Sequence, residues 1–104
     1  MHVRVERHGG GPVPEAATLQ QRLEEEGFRV YAWSDSPGTV YPPHQHDTDQ
    51  SHWVLRGTLA LTVGAEEYVL EAGDRDWLPA GTVHAARVVG REPVVYLIGE
   101  RLSQ

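Results

Sequence analysis

The chain has 104 residues, enough for one domain, and no run of about 20 apolar residues that would cross a bilayer; its first residues lack the apolar stretch of a signal peptide, so the expected location is cytoplasmic. It contains neither cysteine nor lysine, which excludes disulfides, thiolate ligands, a cysteine nucleophile and Schiff-base chemistry, and leaves six histidines as the soft metal ligands. The formal charge is −6 and the nine arginines stand singly, so no basic stripe exists to neutralise nucleic-acid phosphates.

Gly9-Gly10-Gly11-Pro12-Val13-Pro14 breaks any regular structure and reads as a loop after a short N-terminal segment. From about Glu15 to Glu26 the pattern turns helical, with Ala16, Leu19 and Leu23 on one face and Gly27 placed to stop the helix. The acidic run Glu24-Glu25-Glu26 opposes the helix dipole, so packing of Leu19 and Leu23 is expected to hold the segment. Beyond Gly27 short strands are expected at 28–33, 40–41, 50–56, 58–63, 68–71, 76–78, 83–89 and 94–98, with turns at 34–38, 64–65 and 91–92. Such spacing predicts an all-β sandwich or barrel preceded by one short helix, a single domain with residues 1–27 as an extension and 28–104 as the barrel.

His44-Gln45-His46 carries the first chemical signal. On an extended chain, positions i and i+2 point the same way, so both imidazoles can reach one ion. Two histidines at this spacing are often merely solvated, and the pair becomes informative through its surroundings. Gly38, five residues, His44-x-His46, three residues, Gln50, six residues, Gly57 is followed after fifteen residues by a second pattern. That pattern runs Gly73, five residues, Pro79-x-Gly81, two residues, His84, three residues, Val88.

These two segments resemble the two cupin motifs at eight of ten fixed positions; Gln50 stands where the family pattern has Glu, and Val88 where it has Asn. The resemblance implies a cupin, a double-stranded β-helix jelly-roll barrel that holds one divalent transition metal ion, such as zinc, iron, nickel or manganese. By the same resemblance His44, His46 and His84 correspond to the histidine ligands and Gln50 to the carboxylate ligand. An amide there removes one negative charge from the ion's surroundings and leaves a neutral oxygen donor, or a group that orients water or substrate.

Gly57 and Gly73 fall where strands turn sharply, and Pro79-Ala80-Gly81 reads as a turn that aims His84 inward. His52, two residues beyond Gln50, should face the same interior, where it could be an extra ligand, a satisfied core histidine or, as the catalytic candidate, a general base and proton carrier. Alternation turns Asp49 and Trp53 away from that interior, so Asp49, like Asp47, is expected as a solvated acid. His2 and His8 are expected on the surface, outside the chemistry, and Arg75 and Arg87 as surface partners of nearby acids. Tyr41, Trp53, Tyr68, Trp77 and Tyr96 are candidates for pocket, core or interface. Apolar residues on both faces of 50–56 suggest a homodimer, as cupins commonly form through the outer face of one sheet.

Cupins include dioxygenases, isomerases, epimerases, decarboxylases, cyclases, storage proteins and sensory domains, so the resemblance leaves the chemistry open. The favoured expectation is a small metalloenzyme acting on a small metal-chelating molecule, dioxygenase-like or isomerase/cyclase-like. The alternatives are a non-catalytic binding or sensing cupin with a structural ion, and a cupin whose metal site is vestigial.

Overall fold

The structure is a computed structural model and describes residues 3–102. The chain forms β1 (Arg4–Glu6), α1 (Ala16–Glu25), β2 (Arg29–Asp35), β3 (Val40–His44), β4 (Thr48–Arg56), β5 (Thr58–Val63), β6 (Glu66–Leu70), β7 (Arg75–Trp77), β8 (His84–Val89) and β9 (Val94–Leu102). Two antiparallel sheets face each other, one in the order β1-β7-β4-β9-β2 and the other β3-β8-β5-β6. Alternation decides what lies between them. On β4 the even residues point inward, with Val54 joining Leu59, Leu61, Leu70, Val88, Val94 and Tyr96 in the inter-sheet core. The odd residues point outward, where Trp53 and Leu55 pack with Leu19, Leu23, Phe28 and Leu97 beneath α1. Among the described residues no helix is long and apolar enough to cross a membrane.

Several expectations need correction. The N-terminal segment supplies an edge strand, Arg4–Glu6, paired with β7; a three-residue strand is too short for its alternation to stand out. Ala16 is exposed rather than part of the buried helix face, because α1 begins there and its packed stripe starts at Leu19. The expected turn at 34–38 shrinks to 36–39: β2 runs through Asp35, and the Thr39 N–H bonds the Ser36 carbonyl across Pro37-Gly38. Val83 is exposed ahead of β8, and β9 continues four residues past Ile98 along β4. Apolar residues on both faces of 50–56 are accounted for within the chain, since its own helix covers the outer face. His2 lies outside the described residues.

Arg75 is buried, not on the surface. Its guanidinium stacks on Trp53 and Trp77, 4.5 and 3.8 Å from the ring centres, and donates to Ser51 Oγ and to both carboxylate oxygens of Glu26. Glu26 is the residue that ends α1, so this pair neutralises one of the acids that oppose the helix dipole. The helix stops there because the Gly27 N–H returns to Glu24 O and the Phe28 N–H to Leu23 O, with Phe28 and Leu23 packed in one cluster. Arg87, in contrast, is the expected surface partner of an acid, Glu67.

Gly57 and Gly73 do require glycine. Both have positive φ, and a Cβ would come within 2.4 Å of the Pro93 carbonyl oxygen and of the His8 ring respectively. His8 is therefore part of the packing rather than free surface, and its backbone N–H donates to Asp74 Oδ1 at 2.8 Å. Asp74 is nearly buried and accepts further bonds from the Glu71 N–H and Arg7. Burial alone would raise its carboxyl, but these donors outweigh it and hold Asp74 below the usual carboxylate range. The stability it contributes should be present at neutral pH and vanish as pH falls through that lowered value. Asp74→Asn is thus expected to cost about 1–2 kcal/mol at pH 7, with the gap to wild type closing in thermal unfolding as pH falls below the ordinary carboxylate range.

Candidate metal centre

His44, the last residue of β3, lies directly across from His84, the first of β8. A register irregularity between Tyr41 and His44 lets the strand bend around the Pro42-Pro43 pair. His46 follows in the link to β4, and its carbonyl accepts the Gly81 N–H at 2.9 Å. Asp49 fixes the same turn from the other side: its Oδ1 accepts the Ala80 N–H at 2.9 Å, and Arg101 lies within 3.7 Å of its other oxygen. Asp49 does turn away from the histidines, as alternation demanded, but it braces the turn that carries His84 instead of standing in solvent. Asp47 is exposed, as expected.

One ring nitrogen from each of His44, His46 and His84 falls within 4.8 Å of the others, and the ring centres are 4.4 to 5.3 Å apart. Two of the rings are held in one tautomer by the backbone. His44 Nδ1–H donates to the Pro42 carbonyl at 2.7 Å and His84 Nδ1–H to the Thr82 carbonyl at 2.9 Å, which leaves the Nε2 lone pairs free. Burial, and then repulsion from the neighbouring imidazoles, push the His46 and His84 rings below the ordinary histidine value. Three imidazoles gathered this closely, with the Nε2 of His44 and of His84 free, suit a divalent cation, and the absence of thiolates restricts the donors to nitrogen and oxygen.

The three histidines line a cavity of about 290 Å³ between the sheets, together with Gln50, His52, Tyr41, Tyr96 and a set of aliphatic residues. Gln50 is buried, and its backbone N–H and carbonyl bond Leu78 across the sheet. His52 stands apart from the group of three, its ring 6.4 Å from that of His84. Its Nδ1 meets both oxygens of Asp76 at 3.1 and 3.0 Å, and its backbone N–H donates to the same carboxylate at 2.7 Å. Burial would lower the His52 ring, but the fully buried Asp76 carboxylate outweighs it, so the imidazole holds a proton more readily than a free histidine.

Of the aromatic candidates, Tyr41 and Tyr96 line the cavity, Trp53 and Trp77 belong to the outer face, and the Tyr68 hydroxyl donates to Glu66. The sequence reading passed over Asp76, Asp35, Tyr31 and Trp33. The last two line the cavity, and a period-two signal for them was present in Tyr31-x-Trp33-x-Asp35.

Residues 32–99, about two thirds of the chain, match the family described as cupin domain. The chain belongs to the cupin family. It is 40% identical over 77 residues to quercetin 2,3-dioxygenase of Bacillus subtilis (strain 168), covering 71% of this chain and 23% of that enzyme. This cupin therefore spans less than a quarter of that relative. Among solved structures it superimposes on a DMSP lyase from Ruegeria pomeroyi DSS-3 with a TM-score of 0.65 and 28% identity, over 71% of this chain and 38% of that one. A DUF861 family protein from Thermotoga maritima shares the fold over nearly the whole length, with a TM-score of 0.65, 21% identity, and 96% and 100% of the two chains covered.

Proposed function

We propose that this cupin is a small metalloenzyme or metalloenzyme module. Nε2 atoms of His44, His46 and His84 would hold one divalent transition metal ion, Gln50 would supply a neutral oxygen donor beside them, and a small metal-chelating molecule would be the substrate. The observation that carries this reading is the convergence of three imidazoles, two of them locked by backbone carbonyls with Nε2 free. When bound, the ion supplies Lewis acidity, or redox chemistry if it is iron, nickel or manganese. The chain's own residues do the rest. His52, tied at Nδ1 to Asp76, presents Nε2 as a proton carrier, and the aliphatic walls of the cavity exclude water from the reacting end.

A purely structural ion is disfavoured. The barrel has its own apolar core, and among the described residues no buried side-chain polar atom lacks a partner, which supports a fold that stands without a metal. The likeness to a dioxygenase and a lyase fits an oxygenase-like or an isomerase- or cyclase-like reaction on a small molecule.

Elemental analysis of purified, untagged protein tests the reading: near-stoichiometric iron, nickel, manganese or zinc is expected, and a chain that also refuses added metals would refute it. Gln50→Glu restores a charged oxygen donor and should tighten divalent-metal binding about tenfold or more; unchanged affinity in a metal titration would move Gln50 out of contact with the ion.

A further inference from the structure

The cavity also carries information about what enters it. Tyr31, Trp33 and Asp35 share the inner face of β2, across from Ile98, Tyr96 and Val94 of β9. Tyr31 and Trp33 line the cavity yet are 42% and 49% exposed, so they form its rim. Two large aromatics exposed together at the mouth of a cavity form an apolar patch of the kind that marks a ligand-binding groove.

The Trp33 ring is not loose, and Tyr41 and Tyr96 are fixed with it. Asp35 accepts from Trp33 Nε1 at 3.1 Å, from the Tyr41 hydroxyl at 2.6 Å and from the Tyr96 hydroxyl at 2.8 Å, so both carboxylate oxygens are engaged. Trp33 Nε1 also lies 3.3 Å from the Tyr41 hydroxyl, and the Tyr41 ring centre is 6.5 Å from that of His44. One carboxylate thus fixes three aromatic side chains beside the histidines.

The rest of the lining states what is missing. Leu59, Leu61, Ala86 and Ile98 are apolar, no arginine reaches the cavity, and the chain has no lysine. The one side chain there that favours a positive charge, His52, is already paired with Asp76, which leaves a metal ion to neutralise a phosphate. The volume of about 290 Å³ is that of roughly ten water molecules.

We propose that Trp33 and Tyr41, held by Asp35, form a specificity-determining aromatic rim that selects a small, flat molecule of low charge with a chelating oxygen pair, and rejects phosphorylated sugars. The inference rests on the metal-site reading, since the histidine end must hold the ion that takes the oxygen pair. Asp35 acts through the rings and is a positioning residue.

The test uses two singly charged, bidentate oxygen chelators that differ in having a flat ring. Maltol and acetohydroxamate are titrated calorimetrically into zinc-loaded protein, with glucose 1-phosphate as the phosphorylated probe. Trp33→Ala, at an exposed site that leaves the core intact, should weaken maltol about tenfold and acetohydroxamate less than twofold. Asp35→Ala keeps the ring but frees it, and should also weaken maltol selectively. Equal effects of Trp33→Ala on both chelators, or tighter binding of glucose 1-phosphate than of maltol, would overturn the proposal. Failure of the metal reading looks different: maltol binding that still needs Trp33 but is undiminished in His44→Ala would sink the ion and leave the rim, whereas metal-dependent binding indifferent to Trp33 would do the reverse.

Discussion

On the proposed metalloenzyme reading, replacing His44 or His84 by Ala should lower affinity for a divalent ion by two orders of magnitude or more, while the far-ultraviolet circular dichroism spectrum stays that of a β-barrel. The loss should be large because the group of three has no spare nitrogen: His52 lies 6.4 Å from His84, ring centre to ring centre, and its Nδ1 is taken by Asp76. Loss of a residue that merely orients a ligand costs 10–100-fold in affinity, and loss of the ligand itself should exceed that. The fold should survive because Val54, Leu59, Leu61, Leu70, Val88, Val94 and Tyr96 fill the inter-sheet space without help from the histidines. Removing the buried imidazole of His84 also relieves a desolvated ring, so the variant is not expected to unfold. Metal content by elemental analysis, read beside the spectrum, separates the outcomes. Loss of both metal and β structure would mark a structural ion, and an unchanged metal content would remove these histidines from the site.

Asp76→Ala should be the most destabilising single change near the cavity. The carboxylate is fully buried and satisfies both the backbone N–H and Nδ1 of His52. Truncation leaves two buried donors of His52 unpaired, at about 1–3 kcal/mol each. A total near 3 kcal/mol is a large part of the 5–15 kcal/mol typical of a domain and would lower Tm by roughly 12–24 °C. Asp76→Asn keeps the shape and should retain the fold, but its amide NH2 would donate to Nδ1 and force the proton onto Nε2. Long-range nitrogen–proton NMR of the His52 ring reads that tautomer directly. If Asp76→Ala unfolds at the wild-type temperature, the pair contributes nothing to stability, and the assignment of Asp76 as the anchor of His52 fails.

Some of this architecture is legible in the sequence, for reasons that particular residues make plain. His44-x-His46 and Gly73 to His84 announce themselves because turn glycines, a proline and alternating strands leave few other uses for such spacing. The Leu19 and Leu23 stripe and Gly27 give the helix and its end, since a 3.6-residue period and a positive-φ stop are local properties.

What stayed hidden was pairing at long range. Arg75 looked like any surface arginine, because nothing local in Gly73-Asp74-Arg75-Asp76 says that Trp53, Trp77 and Glu26 will surround its guanidinium. Asp49 reads as a solvated acid in the sequence because its partner, the Ala80 N–H, is 31 residues away. Asp35 looked like a turn residue until β2 was seen to run through it and bring its carboxylate to Tyr96, 61 residues on.

The sequence by itself determined the cupin family, the alternation of inward and outward faces, and the histidines that could meet at one ion, because those depend on residue type and spacing along an extended chain. The tertiary structure alone decided which acid holds His52, that Asp49 braces the turn before His84, and that Asp35 gathers an aromatic rim. A buried charge is settled by the partner that folding brings to it, and spacing along the chain does not encode that partner.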